Sequence, residues 1–463
     1  MKAWERARDL LRGAVPVVLS EDEQDWVEDA NAVGSKADFD IAMFWKSSVP
    51  GSGAPDSSAI AALGAMENKG YALAPYDEIL ASGLAAIEAN DMPALHVAHS
   101  QLWKVLREAK PIADHPSQKT RRYASWSEFE IRVSWPERAK VSMQDNAYSK
   151  AISNGWWAQI VGAAVGTALE GYTADQLAAK FGPIRHYPRK PNTFNDDITY
   201  EICFLEAYAE RGPKVTSNDI AERWTGLIPF GWSAEGIALE HLHRGLMPPA
   251  SGATNNPFDE WIGAQMRGAI CGMVVPGDAR EAARLAWIDG EISHTSNGIL
   301  GEVFNAVLCA RAFVVKDIRQ LTAEVISLIP GETEYGAVVR NALANCQRAS
   351  TWQEAWRACD QELVAYHWIH VYPNAAAQVV ALWFGHESFD LMLEIICGCG
   401  HDVDCNAAQI LCAFAIAKGD GAIDRRWLDP LGTDIHTYMR RPTEIAFAEL
   451  VRQTLAAASK WRE

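Results

Sequence analysis

Apolar residues in the C-terminal two thirds of the chain recur at helical spacing. Ile198, Ile202 and Leu205 stand at positions i, i+4 and i+7, which is the spacing of one face of an amphipathic helix. Residues 407–414 repeat this pattern. Pro and Gly pairs separate such runs, and no strand alternates with a helix and a Gly-rich phosphate loop. The pattern therefore predicts a compact, all-α, multi-helix domain over residues 146–463 rather than a nucleotide-binding α/β sheet.

Residues 1–145 form an extension with a less regular pattern. Helical spacing occurs around residues 4–11 and 76–106, and the Pro-, Gly- and Ser-rich residues 49–58 between them are typical of a linker. Residues 117–140 carry much of the local basic charge in short, β-like alternation, which suggests an arm that wraps the main domain or a partner surface. We find no catalytic motif here, and we predict a mostly helical extension of unknown role.

The composition is that of a globular protein. Of 463 residues, 49% are hydrophobic and 22% are charged, which excludes a disordered chain. The 59 acidic and 42 basic side chains give a formal net charge of −17. Because nucleic acids and anionic lipids bind to basic surfaces, we expect neither tight nucleic-acid binding nor a membrane partner. The sequence leaves the oligomeric state open.

The cysteines and the uncharged segments indicate the cellular compartment in which we expect the protein. The nine cysteines are an odd number, and most stand in apolar runs, where a free thiol behaves as a small buried hydrophobe. We therefore expect no disulfide framework and a reducing, cytoplasmic location. The first residues lack the continuous apolar stretch of a secretory signal. The uncharged residues 151–169 include several Gly and polar residues, so we predict a buried helix there rather than a membrane span.

Two acidic clusters each stand directly before a predicted amphipathic helix. The first is Asn195-Asp196-Asp197, and the second contains Asp402 and Asp404. Acids at a helix start have a structural explanation, because they cap free N–H groups. Each cluster, however, supplies two acids where a cap needs one, and the second lies between apolar runs where unpaired charge is costly. Converging carboxylates would need a countercharge, and hard oxygen ligands suit Mg²⁺ or Mn²⁺. Both explanations stay open on composition and spacing alone.

Several motifs follow one another along the chain. They are the Gly-rich residues 155–171 with Glu170, Asn195-Asp196-Asp197, Ser293-His294 with Asn297-Gly298, Pro373-Asn374, and residues 400–406. In this order they resemble the motifs of the ADP-ribosylglycohydrolase family. The resemblance covers about residues 145–435 and does not extend to the N-terminal residues. It implies a mostly α-helical fold with two Mg²⁺ or Mn²⁺ ions at the bottom of a cleft. It also implies hydrolysis of the N- or O-glycosidic bond at the anomeric carbon of an ADP-ribosyl group.

Site residues are carried over from the family by motif. The metal ligands implied are Asn195, Asp196, Asp197, Asp402, Asp404 and Cys405. Glu170 matches the family glutamate that approaches the metals and the scissile ribose. We expect Asp197 or Glu170 to orient or deprotonate the attacking water, while the metals hold the ribose hydroxyls of an oxocarbenium-like transition state.

The chain departs from the family pattern at two of the implied ligands. Asn195 stands where a hydroxyl residue is usual, although its carbonyl oxygen can still bind a metal. Cys405 stands where the second cluster usually has Thr. Because a thiol is a poor ligand for Mg²⁺, Cys405 is either a spectator or favours the softer Mn²⁺.

Seven further residues are candidates for substrate binding. They are His294, Asn297, Gly298, Trp261, Gln265, His370 and Asn374. Trp261 would stack on a nucleobase and Gln265 would make polar contacts, unless both simply begin a core helix. Asn374 precedes an Ala-rich run, so a plain N-cap is the alternative to substrate contact. For His294 the alternative is an ordinary exposed histidine.

The sequence thus predicts a metal-dependent glycoside hydrolase acting on an ADP-ribosyl or related N-ribosyl substrate, which is either macromolecular or a small molecule. Two alternatives stay open. One is a hydrolase of a small N-ribosyl or nucleoside-like metabolite that uses the same centre. The other is a non-catalytic relative, since the fold is similar to that of a lens crystallin. The leaving group is not fixed by the sequence.

Overall fold

The protein is described here from a computed structural model that covers residues 1–20 and 26–462. These residues form 24 α-helices and eight strands of two or three residues each. The strands make four separate antiparallel pairs, so they form no extended sheet. The all-α prediction is confirmed, and the buried apolar faces of the helices build the core.

The described part of the extension contains seven helices and four short strands. They are α1 (Ala3–Gly13), α2 (Trp26–Trp45), α3 (Ser58–Asn68), α4 (Asp77–Ala89), α5 (Met92–Glu108), α6 (Pro116–Lys119), α7 (Trp126–Glu130), β1 (Ser47–Ser48), β2 (Pro55–Asp56), β3 (Tyr71–Ala72) and β4 (Lys110–Pro111). The segment predicted to be a linker is largely the turn of a hairpin, because β1 pairs with β2. Residues 117–140 hold short helices and no strand, contrary to the alternation of their sequence.

The main domain holds the remaining helices and strands. They are α8 (Asn146–Gly166), α9 (Ala174–Phe181), α10 (Asp196–Arg211), α11 (Ser217–Leu227), α12 (Ser233–His243), α13 (Ala250–Ala253), α14 (Ala269–Met273), α15 (Ala279–Gly290), α16 (Ser296–Ala312), α17 (Ile318–Leu328), α18 (Glu334–Arg348), α19 (Trp352–Glu362), α20 (Val371–Phe384), α21 (Phe389–Cys399), α22 (Val403–Lys418), α23 (Arg425–Leu428), α24 (Phe447–Ser459), β5 (Tyr172–Thr173), β6 (Gly400–His401), β7 (Asp434–His436) and β8 (Glu444–Ala446). Helices α8, α16, α20 and α22 carry long buried runs at the centre.

The extension packs on the main domain through its own apolar cluster. This cluster is built from α2 to α5 and includes Phe258 and Trp261 of the main domain. Beside it, Nζ of Lys69 lies 2.6 Å from Oδ1 of Asp259, and both side chains are buried. A buried ion pair joins two elements tightly, because removing either partner leaves an uncompensated charge.

The structure also bears on two other predictions, a buried helix in place of a membrane span and the absence of a disulfide framework. Among the described residues, no helix combines the length and the apolar character that crossing a membrane requires. The uncharged residues 151–169 lie mostly in the buried helix α8. All nine cysteines are free and buried, as expected for small apolar side chains.

Candidate metal centre

Close packing of α8 against α22 brings the first motif to the second. A Cβ atom on Gly162 would lie 2.7 Å from the backbone of Ala407, and one on Gly166 would lie 2.3 Å from Cα of Asp404. Both distances are too short for any side chain, so only glycine allows the two helices to approach this closely. The Gly-rich motif therefore sets the end of α8 directly against the first turn of α22.

A short strand pair fixes the segment that carries Glu170. Strand β5, which follows Glu170, pairs with β6, which precedes Asp402. The backbone N–H of Gly171 also donates to the carbonyl oxygen of His401 at 2.9 Å. Glu170 and Asp402, which are far apart in the sequence, are thereby held at the same end of the helix pair.

The start of α10 completes the cluster. Nδ2 of Asn195 donates to Oδ2 of Asp404 at 3.2 Å, and the thiol of Cys405 donates to Oδ1 of Asp197 at 3.2 Å. The N-cap side chains of α10 and α22, Asn195 and Asp402, make no capping hydrogen bond. The two acidic clusters thus point toward each other instead of only closing their own helices.

Four oxygens in this cluster are buried and have no hydrogen-bond partner among the residues that the structure describes. They are Oδ1 of Asn195, Oδ2 of Asp197, Oδ1 of Asp402 and Oδ1 of Asp404. An unpaired buried carboxylate oxygen is costly, and oxygens of this kind are the ligands that Mg²⁺ and Mn²⁺ prefer. Asp402, Asp404 and Cys405 also offer three ligand atoms within 4.8 Å of one another. The residues present therefore fit a divalent cation.

Burial and mutual repulsion disfavour the charged forms of these acids in the metal-free chain. Loss of solvent and the charges of Asp404 and Asp402 raise the pKa of Glu170 well above its usual range. Loss of solvent and the charge of Asp404 raise the pKa of Asp196 to about 7. The pKa of Asp402 is raised by burial and by Asp404 in the same way. A bound cation would reverse this balance, because it favours the ionised carboxylates.

Solvent reaches the cluster at Glu170 and Asp196, and we call this its open side. Asp197 is fully buried, and Asp402 and Asp404 are nearly so, whereas Glu170 and Asp196 are only half-buried. A substrate would therefore reach the cluster from the side of Glu170 and Asp196.

Asn374 and Thr167 hold the acids in place. The sequence predicted Asn374 as a substrate contact or an N-cap, and it did not indicate a role for Thr167. Oδ1 of Asn374 accepts the backbone N–H of Asp402 at 3.2 Å and Nδ2 of Asn406 at 2.7 Å, while its Nδ2 donates to the carbonyl oxygen of Trp368 at 2.7 Å. Thr167, which was not singled out, donates its hydroxyl to the carbonyl oxygen of Ala163 and lies 3.3 Å from Oδ2 of Asp404. A polar residue ending a Gly-rich helix is a weak signal in a sequence, which explains why Thr167 was missed.

Gln265 and Asn297 lie in one buried hydrogen-bond network. Oε1 of Gln265 accepts the hydroxyl of Tyr335 at 3.0 Å, and Nε2 of Gln265 lies 3.4 Å from Oδ1 of Asn406. Nδ2 of Asn297 donates to Oε1 of Glu260 at 2.9 Å. Both amides are fully buried. They take part in the packing of the interior, where Gln265 contacts Asn406 in the first turn of α22.

His294 and Gly298 lie deeper in the main domain. Nδ1 of His294 is 2.8 Å from the hydroxyl oxygen of Ser293, and its Nε2 is buried without a partner. Burial and the charge of Arg267 lower the pKa of His294 well below its usual range. A Cβ atom on Gly298 would lie 2.4 Å from the carbonyl oxygen of Asp259. Gly298 therefore permits a close backbone approach.

Trp261 and His370 lie where the extension meets the main domain. The Trp261 ring stacks on His367, with centroids 5.0 Å apart and planes 4° apart, and its backbone pairs with His370. Both Trp261 and His370 are buried, and Nδ1 of His370 accepts the backbone N–H of Tyr372 as an N-cap. Neither side chain faces the open side of the cluster in this conformation.

An exposed aromatic group beside the cluster was missed by sequence analysis. Phe194, directly before Asn195, is 51% exposed, and its ring lies 5.7 Å from that of Tyr438. Phe230 stacks on Tyr438 at 5.0 Å and meets Trp232 at 5.6 Å. These aromatics come from three distant segments, so no local pattern in the sequence brings them together.

The fold and the site define an all-α protein with a buried carboxylate cluster suited to divalent cations. The family profile described as ADP-ribosylglycohydrolase matches residues 143–459, more than half of the chain. The chain therefore belongs to the ADP-ribosylglycohydrolase family, which is a family of glycosyl hydrolases that generally bind divalent metals.

Two further comparisons were made. One solved structure, named "ADP-ribosylglycohydrolase-related protein complex", is 19% identical to this chain with a TM-score of 0.47, and the alignment covers 68% of this chain and 100% of that one. A search of curated proteins gave no match.

Proposed function

We propose that this protein is a Mg²⁺- or Mn²⁺-dependent hydrolase that cleaves the glycosidic bond of an ADP-ribosylated or related N-ribosyl substrate. One observation carries the proposal: within the described residues, three aspartates of the two acidic clusters and Asn195 together hold four buried oxygens that lack hydrogen-bond partners. Such a cluster is stable as a cation site and unfavourable without one. Membership of the ADP-ribosylglycohydrolase family supports the reaction class.

The proposed ligands come from both acidic clusters and would hold two ions. They are Asn195, Asp196, Asp197, Asp402 and Asp404, with Cys405 beside them. Oxygen ligands dominate this set, which suits the hard cations Mg²⁺ and Mn²⁺. When bound, the ions supply Lewis acidity that orients the vicinal ribose hydroxyls and acidifies the attacking water.

Glu170 is the better placed of the two predicted catalytic carboxylates. It is half-buried on the open side, whereas Asp197 is fully buried and accepts the Cys405 thiol. We assign Glu170 to accept the proton of the attacking water, and Asp197 to metal ligation. A carboxylate beside bound cations ionises more readily, so Glu170 would act as a base near neutral pH despite its raised pKa in the metal-free chain.

The aromatic group beside Asn195 is proposed to bind the base of the nucleotide. Phe194, Phe230 and Trp232 are all partly exposed, and aromatic faces stack readily on nucleobases. The predicted polar contacts Gln265 and Asn374 are proposed to act behind the cleft, through their hydrogen bonds to Asn406 and to the backbone of Asp402. Asn297 is proposed to act indirectly, because its Oδ1 accepts the backbone N–H of Tyr335, whose hydroxyl donates to Gln265. His294, Gly298, Trp261 and His370 would shape the same wall.

Calorimetric titration with Mn²⁺ and with Mg²⁺ tests the metal centre directly. We expect binding by the wild type and none by Asp402→Ala. Release of ADP-ribose from ADP-ribosyl-arginine and ADP-ribosyl-serine peptides, with and without a chelator, then tests the reaction. Release of bases from simple nucleosides in place of ADP-ribose would favour the small-metabolite alternative. A folded protein that takes up no metal would favour the non-catalytic alternative.

The role of Glu170 has its own test. Glu170→Gln should lower kcat by about 10² or more, the usual contribution of a general base, while Mn²⁺ affinity stays within a few-fold. Glu444→Gln, on the exposed strand β8, is the matched control and should leave kcat unchanged. Full turnover by Glu170→Gln would show that another group takes the proton.

A further inference from the structure

The hairpin formed by residues 47–56, which belongs to the extension, lies against the end of α8. Val49 and Ala54 are buried on either side of its turn, and the backbone N–H of Val49 donates to the carbonyl oxygen of Ala54 at 2.8 Å. Its tip is exposed at Gly51 and Gly53, which both have positive φ. The family match begins only at residue 143, so this hairpin lies outside the matched region.

One set of contacts leads from the tip to Asp404. A Cβ atom on Gly51 would lie 2.5 Å from Cγ2 of Thr167 and 2.8 Å from its carbonyl oxygen. The backbone of Gly51 is therefore packed directly against Thr167, whose hydroxyl lies 3.3 Å from Oδ2 of Asp404. Nη1 of Arg189 donates to the carbonyl oxygen of Gly51 at 2.7 Å, and Arg189 lies in the segment that leads to Asn195.

A second set of contacts leads from the other strand to Asp402. Oδ1 of Asp56 lies 3.4 Å from Nε1 of Trp368 and 3.3 Å from Nε2 of His367. The carbonyl oxygen of Trp368 accepts from Nδ2 of Asn374, and Oδ1 of Asn374 accepts the backbone N–H of Asp402. Side chains whose own rotamers are fixed by packing and hydrogen bonds hold a metal site in its productive geometry.

We propose that the 47–56 hairpin is a positioning element of the metal centre, acting on Asp404 through Thr167 and on Asp402 through Trp368 and Asn374. The inference rests on the proposed metal-dependent function. It gives the extension a role that its sequence did not indicate. The contacts described above reach the proposed ligands through Thr167, Trp368 and Asn374, so the effect of the hairpin should be seen as altered metal affinity.

The two glycines at the tip provide a matched pair of variants. Gly51→Ala and Gly53→Ala place a side chain at a positive φ, at +95° and +76° respectively, so both introduce backbone strain. A Cβ atom at position 53 has no neighbour within 4 Å, whereas one at position 51 overlaps Thr167. We expect Gly51→Ala to weaken Mn²⁺ binding at least fivefold in calorimetry, and Gly53→Ala to change it less than twofold. Melting curves of the metal-free variants show whether both are folded.

Thr167→Ser supplies the second measurement. Serine keeps the hydroxyl near Asp404 but removes Cγ2, so the double variant Gly51→Ala, Thr167→Ser should recover part of the lost Mn²⁺ affinity. Equal, wild-type-like affinities in Gly51→Ala and Gly53→Ala would overturn the positioning role while leaving the metal centre intact. Equal losses in the two variants, with no recovery in the double variant, would also overturn it. A wild-type protein that binds no Mn²⁺ would instead refute the proposed function, and this inference with it.

Discussion

The thiol of Cys405 donates a hydrogen bond to Oδ1 of Asp197, across 3.2 Å and between residues 208 positions apart. Burial and the neighbouring charges, Asp197 first among them, raise the pKa of this thiol well above its usual range. Cys405 is thus a neutral hydrogen-bond donor in the metal-free protein. Its position in the first turn of α22, facing the start of α10, is the position in which the family pattern has a hydroxyl.

This geometry predicts the effect of Cys405→Ser. A serine hydroxyl can still donate to Asp197, and it adds a hard oxygen where the thiol is a poor Mg²⁺ ligand. We expect Mg²⁺ affinity to rise several-fold while Mn²⁺ affinity changes less, so that the ratio of Mn²⁺ affinity to Mg²⁺ affinity falls. Calorimetry with both ions measures the ratio, and Cys397→Ser, a buried cysteine on α21, is the control. An unchanged ratio would identify Cys405 as a spectator.

Removing one acid should separate metal binding from the stability of the metal-free fold. Asp402→Asn replaces a carboxyl whose pKa is raised by burial and by Asp404 with a neutral amide. The unfolded chain ionises this carboxyl at neutral pH more readily than the folded chain does, so its replacement should raise the melting temperature of the chelator-treated protein there. The same change removes a ligand, so Mn²⁺ should stabilise the variant far less than the wild type. Glu387→Gln, whose side chain is 82% exposed, should move neither value. A variant that is stabilised by Mn²⁺ as strongly as the wild type would argue against Asp402 as a ligand.

The raised pKa of Asp196 sets a direction for pH dependence. Burial and Asp404 raise this pKa from 3.8 to about 7. Between those values the folded, metal-free protein keeps a proton that the unfolded chain has lost, so the free energy of unfolding should fall as pH rises from about 4 to 7. Metal binding needs the ionised form, so Mn²⁺ affinity should rise over the same interval.

Melting curves at pH 5.5 and pH 7.5, with a chelator and with Mn²⁺, check the predicted directions of both changes, in the stability of the metal-free protein and in the affinity for Mn²⁺. The stabilisation by Mn²⁺ should be larger at pH 7.5. Asp196→Asn is the matched variant, and it should flatten part of the pH dependence of the metal-free protein. Greater stabilisation by Mn²⁺ at pH 5.5 would contradict the assignment of Asp196 as a ligand for which protons and Mn²⁺ compete.

The sequence predicted the helical fold because the apolar faces around Ile198 and Ile410 repeat locally at helical spacing. The acidic clusters were likewise visible, since each is contiguous. Residues 76–106 show the limit of such patterns, because Asn90 adopts a left-handed conformation and divides one apparent helix into α4 and α5. The 47–56 hairpin was mistaken for part of a linker, because Pro, Gly and Ser are typical of both tight turns and linkers.

The parts of the site that the sequence did not predict depend on contacts between distant segments. Phe194, Phe230 and Tyr438 meet only when the chain is folded. Trp261 illustrates the opposite difficulty, because a tryptophan suits both a nucleobase site and a buried interface. Only the folded structure distinguishes these roles, because Trp261 packs in the apolar cluster of the extension and also stacks on His367, which is over a hundred positions away in the main domain.

Docking of the extension depends on the buried pair of Lys69 and Asp259, whose side chains are only 7% and 12% exposed. Lys69→Met should destabilise the protein by about 3–5 kcal/mol, because Asp259 then loses its ion-pair partner and keeps the hydrogen bond from the hydroxyl of Thr295. Lys36→Met is the control: its pair with Asp40 is 74% and 54% exposed, and surface pairs contribute about 0–1 kcal/mol. Denaturant unfolding measures both, and limited proteolysis shows whether the extension is released first.

Adding Asp259→Asn to Lys69→Met should recover much of the loss, since it removes the uncompensated charge. Equal stability of the two lysine variants would mean that the apolar cluster around Trp261 holds the extension in place without this pair.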